Sequence, residues 1–141
     1  METKNQLLQK IYTRQARIGV VGLGYVGLPL AVAFAQAGFG VVGVDIDPAK
    51  VNQLCQGQSY IADVPSADIA PLVANGRFQP TTSYEALAPT DAISICVPTP
   101  LRKTKDPDIS YIIDAAENIA RIGATGQLVV LESTTYPGTT E

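Results

Sequence analysis

Residues 17–38 read RIGVVGLGYVGLPLAVAFAQAG, and no other stretch restricts the fold of this chain so tightly. A β-branched run, Ile18 to Val21, leads into glycines at 22, 24 and 27. An Ala- and Leu-rich run from Leu28 follows and stops at Gly38. The first run has the composition of a buried strand. The second is a helix, predicted over 28–38, with a glycine stop. A bare G-x-G-x-x-G arises often by chance, but here it has a strand before it and a helix after it. Gly22 lets the chain leave the strand sharply. Gly24 puts no side chain between the backbone and a ligand, and Gly27 lets the helix approach the sheet. Free N–H groups at the head of the helix, around Tyr25 and Val26, then suit a diphosphate, with the helix dipole in support. The competing reading is that these glycines serve tight turns alone.

The rest of the chain keeps the same alternation. FGVVGVD (39–45) is a second strand, and AKVNQLCQG (49–57) a second helix, with Pro48 where a first turn tolerates it. Residues 58–76 predict a loop with one short helix from near Ser66. RFQPTTS (77–83) is a short third strand, and 83–91 a short helix and turn. DAISICV (91–97) is a fourth strand, ISYIIDAAENIARIG (109–123) a helix, and QLVVLES (127–133) a fifth strand. Residues 5–14 carry Leu7, Leu8, Ile11 and Tyr12 at helical spacing, which predicts a short leading helix within 1–15. The sum is an α/β chain with a three-layer Rossmann fold: a mainly parallel, doubly wound sheet whose central strands are buried on both faces. All 141 residues fit one domain. The chain stops just after a strand, which suggests a piece of a longer protein.

Asp45 stands at the end of the second strand, where a carboxylate can accept hydrogen bonds from the hydroxyls of an adenosine ribose and repel a 2′-phosphate. It favours NAD over NADP, unless it is a solvated strand-end residue. Lys50 can reach the ribose or phosphate edge, or lie on a solvated helix face. Ligands of open α/β sheets bind beyond the carboxyl ends of the strands. The fourth strand ends in CVPTPL (96–101), so Val97, Pro98 and Thr99 face that edge, with the Thr99 hydroxyl free over the cleft. The alternative is a rigid loop without a ligand. The fifth ends in ESTTYPGTTE (132–141). Ser133 and Thr134 can hold a water or bond the nicotinamide ribose there, or simply cap the next segment.

Several classes of function are disfavoured. A net charge of -3 without a Lys/Arg cluster leaves no electrostatic footprint for nucleic acid and no polybasic membrane anchor. No apolar run approaches the ~20 residues of a membrane span, and the N-terminal residues are polar, so the reading is a cytoplasmic protein. Cys55 and Cys96 lack metal-ligand spacing and are expected to be small packing residues. Without histidine, this chain offers no histidine base and no histidine metal ligand.

Taken together, GLGYVGLPLA (22–31), VDIDPAKV (44–51), CVPTPL (96–101), DPDISYI (106–112) and LESTTYPGTTE (131–141) resemble the UDP-glucose/GDP-mannose dehydrogenase family. The leading QLLQKIYTRQARIG is most similar to its UDP-N-acetylhexosamine branch, the UDP-N-acetylglucosamine 6-dehydrogenases among them. The resemblance spans essentially the whole chain, and VPTPL, DPD and EST-x-YPGTT are more specific than the glycine loop. It implies an NAD-binding domain of an enzyme that oxidises the C6 alcohol of a UDP-sugar to a carboxylate in two hydride transfers, linked by a thioester on a catalytic cysteine, for polysaccharide precursor synthesis. It implies that Gly22, Gly24, Tyr25, Val26, Gly27, Asp45, Lys50 and Thr99 hold the cofactor, and that Thr134 is a catalytic threonine supporting the active-site water. It also implies that the catalytic cysteine and lysine, the sugar contacts and the dimer-forming elements lie downstream. The parent is then a homodimer or larger, and this chain alone is inactive. The alternatives are another NAD-dependent dehydrogenase, of 6-phosphogluconate or hydroxyacyl-CoA type, and a non-enzymatic module that senses NAD(H).

Overall fold

β-Branched runs become strands here because their stiff side chains fill a sheet buried on both faces, and the Ala- and Leu-rich runs between them coil into helices. The computed structural model describes residues 16–97, 109–122 and 128–131. Strands β1 (Arg17–Val21), β2 (Gly40–Val44), β3 (Phe78–Thr81), β4 (Ala92–Ile95) and β5 (Leu128–Leu131) alternate with helices α1 (Gly27–Gln36), α2 (Pro48–Cys55), α3 (Ser66–Ala74) and α4 (Ser110–Ile122). Tyr84–Leu87 is a single 3-10 turn. The predicted leading helix lies outside the described residues.

The five strands form one sheet in the order β3-β2-β1-β4-β5, and every neighbouring pair is parallel. The register aligns their carboxyl ends. Val21 lies beside Val44 and Ile95, Val44 beside Thr81, and Ile95 beside Leu131. The chain winds outward from β1 through β2 to β3, then crosses to the other side of β1 for β4 and β5. The end of β1 is therefore the switch point where a crevice opens.

Period-two alternation sorts the strand side chains onto two cores. Ile18, Val20, Val41 and Phe78 pack with Leu28, Ala31, Val32 and Ala35 of α1, Leu54 of α2, and Ile69 and Leu72 of α3. Val21, Val42, Val44, Ile93 and Ile95 pack on the other face with Leu87 of the 3-10 turn and Ala115 and Ile119 of α4.

Local chemistry sets the helix ends. Past the end of α1, the Phe39 amide bonds back to the Phe34 carbonyl at 3.1 Å, and the two rings meet edge to face at 6.1 Å. Helix α3 runs on through Pro71, whose missing N–H forgoes a bond to Ala67, while Ile69 and Leu72 are buried beneath it. Helix α2 begins at a side-chain cap: the Asp47 carboxylate accepts the Ala49 amide at 3.0 Å, with Pro48 in the first turn. Asp47→Ala is expected to lower unfolding stability by about 1 kcal/mol. An unchanged urea midpoint would show that this cap contributes nothing.

One expectation needs correction. Cys55 does not pack inside. It is exposed at the last turn of α2, its thiol 3.7 Å from the Pro80 carbonyl. An amphipathic helix leaves one face to solvent, and residue 55 falls there while Val51 and Leu54 turn inward. Cys96 does pack inside, beside Ser94. Strand β5 is an edge strand. It is flanked by β4 alone, and Leu128, Val129, Val130 and Leu131 are all exposed, at 39–53%.

Candidate functional site

The crevice is built around the elbow between β1 and α1. Gly22 leaves the strand with φ +94°, a left-handed value, and a Cβ there would stand 2.8 Å from the Cys96 carbonyl oxygen. Leu23 then dives fully into the core, while Tyr25 is 85% exposed. Gly27 opens the helix so close to the strand end that a Cβ would lie 1.6 Å from the Gly22 carbonyl oxygen. Gly24 is different. Among the described residues a Cβ added there meets nothing within 4 Å, and its φ lies outside the left-handed range. The fold itself makes no demand for glycine at 24.

The elbow also presents donors. The Gly24 carbonyl is taken by the Leu28 amide at 3.1 Å, whereas the amides of Gly24, Tyr25 and Val26 meet no acceptor among the described residues. Helix α1 has no side-chain cap and no acid in its first turn. Its positive dipole end is thus left for an anion.

Asp45 closes the elbow from β2. One carboxylate oxygen accepts the Leu23 amide at 2.9 Å and the other the Asp47 amide at 2.9 Å. Each oxygen keeps a further lone pair for a hydroxyl donor. Bracing the glycine loop is a role that spacing alone did not reveal.

Together these residues wall a cleft of about 310 Å³ bounded by Gly22 to Val26, Asp45, Ile46, Lys50, Tyr84, Cys96, Val97, Tyr111 and Asp114. That is at the small end of the range for small-molecule sites, roughly 300–1,000 Å³. A second hollow of about 350 Å³ adjoins it at Gly24, Tyr25 and Lys50, and is otherwise lined by Ala49, Gln53, Tyr60 and Ile61. Lys50 sits between the two, its ammonium 5.6 Å from the centre of the Tyr60 ring. Of the predicted site residues, the structure brings Gly22, Gly24, Tyr25, Val26, Asp45, Lys50 and Val97 to one cleft, with Gly27 directly behind it. Pro98, Thr99, Ser133 and Thr134 lie outside the described residues.

Among the residues lining the cleft and the adjoining hollow, Ile46, Tyr60, Tyr84, Tyr111 and Asp114 escaped the sequence reading. Ile46 had a signal, an apolar side chain in the turn DID, and it is 62% exposed at the rim. Tyr84 enters from the 3-10 turn. Burial first, then the Asp114 and Asp45 carboxylates, push its phenol pKa up, so it stays protonated as a donor on an apolar wall. Among the described residues no three His, Cys, Asp or Glu side chains group as metal ligands, and no helix is long and apolar enough to cross a membrane.

Known proteins resemble this chain in sequence and fold. The model of the UDP-glucose/GDP-mannose dehydrogenase family, NAD binding domain, matches residues 16–141. An NDP-N-acetyl-D-galactosaminuronic acid dehydrogenase of Ralstonia nicotianae is 45% identical over 126 residues, 88% of this chain and 29% of its own length. A UDP-N-acetyl-D-glucosamine 6-dehydrogenase of Pseudomonas aeruginosa is 38% identical over 128 residues, 91% of this chain and 29% of its own. The solved structure of a UDP-D-ManNAc dehydrogenase from Pyrococcus horikoshii superposes with a TM-score of 0.79 at 38% identity, covering 88% of this chain and 30% of that one. The chain thus spans about 30% of the length of the relatives it matches.

Proposed function

Since the chain belongs to the UDP-glucose/GDP-mannose dehydrogenase family, as its NAD-binding domain, we propose that the cleft at the end of β1 is the place where NAD is held, on behalf of a longer nucleotide-sugar 6-dehydrogenase. One observation carries the placement: Gly24 is open on the cleft side although nothing among the described residues requires a glycine there. An absent side chain beside three amides that meet no acceptor among the described residues is what a diphosphate needs.

Each part of the cleft has a share in this reading. The amides of Gly24, Tyr25 and Val26 receive the diphosphate, aided by the N-terminal end of α1. The free lone pairs of Asp45 accept the adenosine ribose hydroxyls, and Lys50 supplies the nearby positive charge. Ile46, Val97 and the Tyr84 ring give the adenosine side an apolar lining. Thr99, Ser133 and Thr134 are assigned to the nicotinamide end. NAD, when bound, supplies the hydride acceptor, and the chain's own contribution is to hold and orient it.

For the whole protein we propose oxidation of the C6 alcohol of a UDP-sugar to a uronic acid, in two hydride transfers. The names of relatives at 38–45% identity support that substrate class. Those names include more than one sugar, which fits a domain that touches the cofactor and leaves sugar choice to residues elsewhere. A homodimer or larger assembly belongs to the same proposal. A 6-phosphogluconate or hydroxyacyl-CoA type enzyme loses ground to a family match that runs over residues 16–141.

Titration with NAD and NADP tests the cofactor assignment. The wild-type chain is expected to prefer NAD. Asp45→Ala is expected to weaken NAD by about tenfold or more, since bonds to a charged acceptor are lost. Because Asp45 also braces the Leu23 amide, the decisive quantity is the NAD/NADP ratio. It should fall toward one. A ratio that stays as in wild type would remove Asp45 from the ribose.

A further inference from the structure

Tyr60 lies in the connection between α2 and α3, and that connection is tied down on both sides of it. The Gln53 side-chain amide donates to the Ser59 carbonyl at 2.9 Å, and the Ser59 amide donates to the Ser66 hydroxyl at 2.9 Å. On the other side Ile61 is buried in the core. So anchored, the Tyr60 hydroxyl reaches across 37 positions of sequence and donates to the Leu23 carbonyl, inside the glycine elbow. Its ring lies under the Lys50 ammonium. Burial, with Asp45 and Asp47 adding to it, holds the phenol in its protonated form, so the O–H remains a donor.

Leu23 is therefore gripped at both ends: Asp45 takes its N–H and Tyr60 its C=O. The C=O belongs to the Leu23–Gly24 peptide unit, whose N–H is that of Gly24. In a planar trans peptide these two groups point in opposite directions. Tyr60 approaches from the second hollow and takes no part in lining the cleft. With the carbonyl drawn to Tyr60, the Gly24 N–H must point away from that side of the loop. We infer that Tyr60 is a positioning residue for the diphosphate loop: it sets the plane of the Leu23–Gly24 peptide and so aims the Gly24 donor at the ligand. This rests on the cofactor reading above. It adds a residue that would shape affinity for dinucleotides without touching them.

The test is Tyr60→Phe in the 141-residue chain, which keeps the ring, its packing and the Lys50 contact while deleting the donor. NAD, ADP and adenosine are titrated into both proteins and followed by amide chemical shifts, which read weak and tight ligands alike. NAD and ADP, which carry the diphosphate, are expected to bind about three- to tenfold more weakly to the variant, the scale of one hydrogen bond. Adenosine, which has no phosphate, is expected to bind equally, and the melting temperature to stay near that of wild type. Equal weakening of all three ligands, or a variant that fails to fold, would make Tyr60 a structural residue and overturn the inference. Unchanged affinities for all three would do the same while leaving the cofactor site standing. A wild-type chain that takes up neither NAD nor ADP ends both readings together.

Discussion

An alanine at position 27 is expected to destabilise the protein by on the order of 4 kcal/mol or more, beyond the usual cost of an added methyl group. The added carbon would sit 1.6 Å from the Gly22 carbonyl oxygen, 2.8 Å from the carbonyl carbon and 3.2 Å from the Cys96 Cβ. The first two atoms are backbone, so no rotamer change relieves the clash. Either α1 backs away from the sheet or the strand end moves. The first route pulls Leu28, Ala31, Val32 and Ala35 out of the core they fill. The second disturbs Gly22, already at φ +94° with no room for a side chain against the Cys96 carbonyl, and bonded through its amide to the Val44 carbonyl at 2.7 Å. Domains of ordinary stability hold about 5–15 kcal/mol in reserve, so this one change takes a large part of it. Urea unfolding followed by far-ultraviolet circular dichroism measures the loss. A Gly27→Ala protein within about 1 kcal/mol of wild type would mean that the helix does not need its close approach to β1.

The features that local pattern encodes are those the sequence disclosed. Ile18 to Val21 and the glycines after them specify a strand, an elbow and a helix within some twenty residues. Asp45 follows one strand later, and each lies where the spacing put it. Boundaries shifted by a residue or two, as at α1, predicted over 28–38 and found at Gly27–Gln36. What escaped detection depends on chain segments meeting across the fold. Tyr60 reaches Leu23 over 37 positions, Tyr84 arrives from the crossover that carries the chain past β1, and Asp114 from the helix after β4. No periodicity around residues 60, 84 or 114 announces this, because the crevice exists only once β2 and β4 have paired with β1. Asp45 shows the same limit from another side. Its position is the one expected of an acid for a ribose, but its bond to the Leu23 amide is visible only when the elbow has folded over it.

The contrast between Gly27 and Gly24 makes the second large prediction sharp. Two glycines three residues apart in one loop face opposite constraints. At 27 a methyl group collides with the protein, and at 24 it meets none of the described residues and no backbone strain. Gly24→Val should therefore fold as wild type, within the ±0.5 kcal/mol usual for surface changes. Its isopropyl group would stand where the backbone is otherwise bare, over the amides of Gly24, Tyr25 and Val26. A diphosphate cannot approach those amides past it. NAD affinity is expected to fall by more than about a hundredfold, equivalent to roughly 2.7 kcal/mol, with the melting temperature held. Calorimetric titration and a thermal melt on the same sample separate the two quantities, and that separation is the point. Loss of binding with loss of fold would say only that the loop was damaged. Loss of binding with the fold intact says that glycine is needed at 24 by something outside the protein. If the Gly24→Val protein binds NAD within threefold of wild type, the diphosphate does not lie over this elbow.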